Sequence, residues 1–148
     1  MWDILFSQHL RETPVWACNL ETALAKKLGH VVTRGELSKA KHLYDIHAVG
    51  RAEGARLDAA LLGEALMAEV EHDGTPDRLP GVLDAIEGLR RSDGAASRWK
   101  RFGRQAYYAG DAGWQDVLDS VEALMQVAIS GAPTIARARD LPRRSPAL

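Results

Sequence analysis

The residues whose types and spacing bear on chemistry lie in one stretch, LETALAKKLGHVVTRGELSKAKHLYDIH at positions 20–47, and the first of them are Lys27 and Arg34. An ammonium and a guanidinium are donors only, so placed on the same side of one helix they suit an anion such as a phosphate. At a helical advance of roughly 100° per residue, Leu20, Leu24 and Val31 share one face, with Leu28 on its margin. Lys27 falls inside that apolar arc and Arg34 lies about two turns further along the same side. Lys26 points nearly the opposite way, where a solvated lysine belongs. Lys27 therefore either lays its methylenes along the core with its ammonium in water, or points with Arg34 into a cleft against an anion.

A second helix carries the remaining candidates. Gly35 is a break, able to end the first helix in the left-handed conformation, and Ser38 is a suitable cap for the next. Ala40, Leu43, Ile46 and His47 then share a broad face, with Lys41 and Asp45 on the other. Lys41 and Asp45 stand i, i+4, where a solvated pair is worth a few tenths of a kcal/mol. His42 and His47 do not share a face, which speaks against a two-histidine metal site, and no metal ligand set is expected. Elsewhere the chain has no nucleophile elbow, no Cys-His pair by local spacing, no G-x-x-x-x-G-K cradle and no Asp-x-Asp pair beside a glycine turn. Nucleotidyl transfer needs carboxylates that hold metal ions against the triphosphate, so no complete active site is legible.

The run Glu21-Thr22-x-x-Ala25-x-Lys27-Leu28, then Arg34-Gly35, then Lys41-His42-Leu43-Tyr44-Asp45 resembles the third and fourth motifs of the AbiEii/AbiGii toxin family of nucleotidyltransferases. There, an E-x-x-x-A-E-K-L helix is followed by an arginine and then by R-D-x-Y-D. The resemblance continues through Arg98-Trp99-x-x-Phe102 and a helix led by Trp114, over most of residues 14–130. Three positions depart from the motifs: Lys26 replaces the glutamate before the lysine, Lys41 the arginine and His42 the first aspartate.

The resemblance implies that Lys27 contacts donor phosphates with Arg34 assisting, and that Asp45 holds the helix corner or contributes a carboxylate, with Lys41 and Tyr44 in support. Complete members would use magnesium and a nucleoside triphosphate, act on a target such as RNA and belong to a toxin-antitoxin pair of the abortive-infection kind. The family's Gly-Gly or Gly-Ser turn and Asp-x-Asp pair would precede residue 14, where this sequence has no room. The expectation is accordingly a truncated member, its C-terminal helical region, not catalytic alone. The alternative is a helical interaction module that binds a catalytic chain or an antitoxin in trans, with Trp2, Phe6 and Trp16 as anchors. A third function is RNA binding by the lysine corner and an arginine-bearing helix.

The elements that must position these groups follow from the rest of the chain. Its 148 residues, 46% of them hydrophobic, suffice for one domain with a real core. A net charge of -1 gives no general case for nucleic-acid binding, although four of the five lysines fall between positions 26 and 41. Cys18 is the only cysteine, which excludes an internal disulfide, and no segment is apolar enough to cross a bilayer, so a cytoplasmic protein is expected.

Residues 1–18 read as an N-terminal clip or remnant strand, residues 19–130 as the helical domain, and residues 131–148 as a flexible basic tail bearing Arg137, Arg139, Arg143 and Arg144. Within the domain, Leu57, Leu61, Leu62, Ala65, Leu66 and Val70 repeat at helical spacing until Asp73-Gly74, with Glu64, Glu69 and Glu71 on the solvated side. Pro80 suits the start of a helix with Val82, Leu83, Ile86 and Leu89, which Ser92-Asp93-Gly94 ends. A helix over 97–108 interleaves Trp99, Phe102 and Tyr107 with Arg98, Lys100, Arg101 and Arg104. A last helix spans 114–129. The fold class expected is all-α, an array of five or six helices with a short N-terminal extended segment.

Overall fold

Asn19 opens the first helix: its side chain accepts a hydrogen bond from the Thr22 N–H at 2.7 Å, satisfying a donor that the helix itself leaves free. That helix, α1 (Leu20–Arg34), is followed in the computed structural model by α2 (Ala40–Glu53), α3 (Ala59–His72), α4 (Val82–Arg91), α5 (Asp93–Gln105) and α6 (Trp114–Gly131). The structure describes residues 19–106 and 112–132. Among them all regular structure is helical and there is no strand, as the periodicity predicts. The N-terminal extended segment, with the candidate anchors Trp2, Phe6 and Trp16, lies outside the described residues, as does the arginine-bearing tail from residue 133.

α6 is the centre of the array. Val117, Leu118, Val121, Leu124, Met125, Ala128 and Ile129 are all buried, because the helix lies against α3, α2 and α4 and has apolar residues on every side that meets them. Full burial of such a side chain is worth about 1.5–3 kcal/mol. α1 packs mainly on α3, contributing Leu24, Leu28, Val31 and Val32 to the core. The crossing of α3 and α6 is close: a Cβ on Gly63 would stand 2.5 Å from the Ala132 nitrogen and 2.6 Å from the Ala128 carbonyl oxygen. Only glycine fits there.

Local expectations are corrected at five places. Ser38 does not cap α2; its buried hydroxyl donates to the Gly35 carbonyl at 2.6 Å, closing a 3₁₀ turn (Gly35–Leu37), and Lys39 takes the cap position without a side-chain bond. Gly35 ends α1 at φ 55°, ψ -124°, a region that a side chain would block and distinct from the left-handed helical well. Leu61 is 45% exposed, because the buried line of α3 runs through Leu62, Leu66 and Val70 and leaves it about 100° off that line. Ser92 does more than end α4: its hydroxyl accepts from the Ala95 N–H at 3.0 Å and starts α5 at Asp93, ahead of the expected residue 97. Pro80 sits in a 3₁₀ turn (Pro76–Gly81) before α4.

Long-range polar contacts tie the helices together. Glu21, buried on α1, accepts the Asp58 N–H at 2.9 Å at the entrance to α3. Arg90 on α4 reaches Asp119 at 2.8 Å and Glu122 on α6. Among the described residues no helix is long and apolar enough to cross a membrane.

Candidate functional site

The corner between α1 and α2 brings the candidate charges together. Lys27 Nζ lies 3.0 Å from Asp45 Oδ2, with side-chain exposures of 26% and 5%. Asp45 thus does not stand on a solvated face beside Lys41, as a helical wheel of α2 alone suggests; α1 covers that side. Lys41 is exposed instead. The buried Oδ2 takes no hydrogen bond of good geometry, so the ammonium's charge is what compensates it. Lys27 is likewise no simple snorkelling lysine, since its head group is held between two α2 side chains.

The second of these is His42, whose Nδ1 is 3.2 Å from Lys27 Nζ. The His42 ring in turn meets that of His30 on α1, their centroids 4.3 Å apart and tilted by 53°. The Lys39 N–H donates to His30 Nε2 at 3.2 Å. Burial lowers the His30 pKa from 6.5 to about 4, and His42, Arg34, Lys39 and Lys27 push the same way. His42 is also lowered, first by burial and then by Lys27, with Asp45 opposing. Both rings are therefore neutral at pH 7 among three or more cations.

Arg34 is exposed at the end of α1, near enough for its charge to be felt at His30. Tyr44 packs towards Phe102 and His47, with ring centroids 6.2 Å and 6.3 Å away. His47 is buried and its Nδ1 lies 2.7 Å from Ser120 Oγ, so it serves the α2–α6 contact and not the corner. The arginine-bearing helix turns its aromatic residues inward: Trp99 is buried and stacks on Trp114 at 5.7 Å, while Lys100, Arg101 and Arg104 are exposed. Arg98 donates to the Glu36 carbonyl at 2.9 Å, closing α5 against the corner turn.

Comparison with known proteins bears directly on this corner. The family model described as Nucleotidyl transferase AbiEii toxin, Type IV TA system, matches residues 3–126. The chain belongs to the AbiEii toxin family. No curated protein and no solved structure matches it. Membership in a type IV toxin-antitoxin family brings with it a nucleotidyltransferase ancestry and an antitoxin partner.

In this AbiEii chain the motif residues Lys27 and Asp45 meet in space, and Arg34 stands at the same corner. Of the departures from the motif, Lys26 and Lys41 are exposed, whereas His42 is directly at Lys27. The magnesium implied by the family does not fit the groups present: among the described residues no three His, Cys, Asp or Glu side chains converge as a metal site, and Asp45 is a single carboxylate already held by Lys27. His30 escapes a reading of the sequence because an isolated histidine carries no spacing signal. The available clue is that it stands i+3 from Lys27, on a neighbouring position of the same helix face. Glu21 is legible as a motif residue, but its bond to Asp58 is not, since it crosses between helices.

Proposed function

We propose that the Lys27–Asp45 corner is the lysine-bearing half of an AbiEii nucleotidyl-transfer site, which receives the phosphates of a nucleoside triphosphate. In this proposal Lys27 neutralises charge on the phosphate oxygens, Arg34 adds a second cation at the mouth of the corner, and Asp45 positions the ammonium. The observation that carries it is the contact of 3.0 Å across two helices between Lys27 and Asp45, two of the motif residues that carry over unchanged. Lys41 and Tyr44 support the corner from α2.

The metal-holding carboxylates that the transfer step needs come, in this proposal, from outside the described residues, so the helical region is not catalytic by itself. The chemistry this chain contributes is electrostatic: a fixed, half-desolvated ammonium needs no reorganisation when charge develops on a phosphoryl oxygen. RNA as the acceptor and a cytoplasmic setting are parts of the same proposal. The complementary half, or an antitoxin, would be the protein partner.

Photolabelling tests the assignment. The full chain irradiated with 8-azido-adenosine triphosphate is expected to carry label within residues 20–47, and inorganic tripolyphosphate in excess is expected to suppress it. Label that maps to α5 or α6, or that tripolyphosphate leaves unchanged, would remove the corner as the phosphate site.

A further inference from the structure

The α1–α2 corner holds a histidine pair whose hydrogen positions are set by their neighbours. The Lys39 N–H donates to His30 Nε2 at 3.2 Å, so the neutral His30 ring carries its own hydrogen on Nδ1. The Lys27 ammonium, a donor only, lies 3.2 Å from His42 Nδ1, so the neutral His42 ring carries its hydrogen on Nε2. The rings touch, with centroids 4.3 Å apart. Neither His30 Nδ1–H nor His42 Nε2–H has an acceptor among the described residues, and both rings are partly exposed. Two oriented N–H donors are thus left without acceptors among the described residues, beside Lys27 and Arg34 of α1, Lys39 at the cap of α2 and Lys41 within it, with Asp45 the facing carboxylate and itself engaged by Lys27.

We infer that His30 and His42 form a two-donor subsite for the oxygens of a polyphosphate, held in register by Lys39 and Lys27. It deepens the proposed function by adding specific ligands to the phosphate-receiving corner, and it rests on that proposal. A neutral imidazole with its hydrogen on Nε2 hydrogen-bonds a phosphate oxygen, whereas a carboxylate in the same place would repel it.

The pair binds as neutral donors. Burial, the facing imidazole of His42, Arg34, Lys39 and Lys27 hold His30 neutral. A further proton on either ring would have to go to the nitrogen that accepts from the Lys39 N–H or faces the Lys27 ammonium, and would break the contact that orients the ring. An anion at the ring edges is therefore expected to bind without protonating the two imidazoles.

The test uses the full chain, inorganic tripolyphosphate, and imidazole ¹⁵N NMR alongside calorimetry. The expected result is that the His30 and His42 nitrogens shift on titration while His47, which bonds Ser120 on α6, does not. The shifts are expected to stay those of neutral rings, hydrogen on Nδ1 of His30 and on Nε2 of His42, together with a loss of affinity of about tenfold for each of His30→Phe and His42→Phe, which keep a ring but remove the donor. Binding that depends on Lys27 but leaves both imidazoles unmoved and is unchanged in the two variants would overturn the subsite and leave the Lys27 corner standing. Absence of tripolyphosphate binding to the unaltered chain would overturn both.

Discussion

Lys27 and Asp45 face each other across the α1–α2 corner with 3.0 Å between ammonium and carboxylate, and the carboxylate is almost wholly removed from water. This asymmetry of exposure has an energetic consequence. Lys27→Met strands a buried charge and is expected to destabilise the fold by about 3 kcal/mol, whereas Asp45→Asn leaves a lysine that still reaches water and is expected to lose about 1 kcal/mol. The double variant should be more stable than Lys27→Met alone. Urea unfolding of the four proteins in one cycle measures this, and additive losses would show that the pair is not coupled.

A second expectation concerns packing at the α3–α6 crossing. Gly63→Ala would drive a methyl to 2.5 Å from the Ala132 nitrogen, which is backbone and cannot step aside, so a loss of about 3 kcal/mol is expected. Gly103, inside α5, has nothing within 4 Å of the corresponding position. Gly103→Ala is therefore expected to stabilise by about 0.5–1 kcal/mol, through the lower entropy of the unfolded chain. Thermal unfolding of both variants separates the two signs.

The pH dependence of stability follows from the corner histidines. The folded His30 pKa is about 4, below its ordinary 6.5, so between these values the unfolded chain binds the extra proton and stability rises with pH. The contribution is fully present above pH 6.5 and is lost as pH falls towards 4. The lowered His42 and His47 act in the same direction. His30→Gln is expected to flatten the midpoint-against-pH curve over that window; an unchanged slope would mean that His30 titrates normally in the folded chain.

The helices were largely legible because their apolar residues repeat, and a residue such as Val31 declares its face through Leu24 and Leu28 without help from the rest of the fold. Positions near an edge were not. Leu61 is apolar but lies one helical step from the buried line of α3, and nothing in its own segment says which of two adjacent leucines the neighbours will cover. Asp45 shows the same difficulty at the site: a wheel of α2 places it opposite Leu43 and Ile46, and only the crossing of α1 turns that side into an interior. Lys27 was legible as a candidate because a cation in an apolar arc must either reach water or find a partner, whereas His30 and the bond from Glu21 to Asp58 arise from contacts between segments that no local pattern encodes.

Arg90 offers a test of how α4 is fastened to α6. Its guanidinium meets Asp119, Glu122 and Gln115 together, is only 18% exposed, and has a raised pKa, chiefly from its hydrogen bond to Glu122. Arg90→Ala is expected to lose about 1–2 kcal/mol, part of it screened by salt. Its neighbour Arg91 is 81% exposed and only 4.0 Å from Glu87, so Arg91→Ala is expected to change stability by less than about 0.5 kcal/mol.

The central claim, that the Lys27–Asp45 corner receives the phosphates of a nucleotide, is tested most directly by calorimetric titration of the full chain with a nucleoside triphosphate. The comparison is between the unaltered protein and the Lys27→Met, Asp45→Asn double variant, whose charges cancel and whose fold circular dichroism can verify. Saturable binding to the first, weakened at least about tenfold in the second, is the predicted result. Equal affinity in both proteins, or no binding to the unaltered chain, would contradict it.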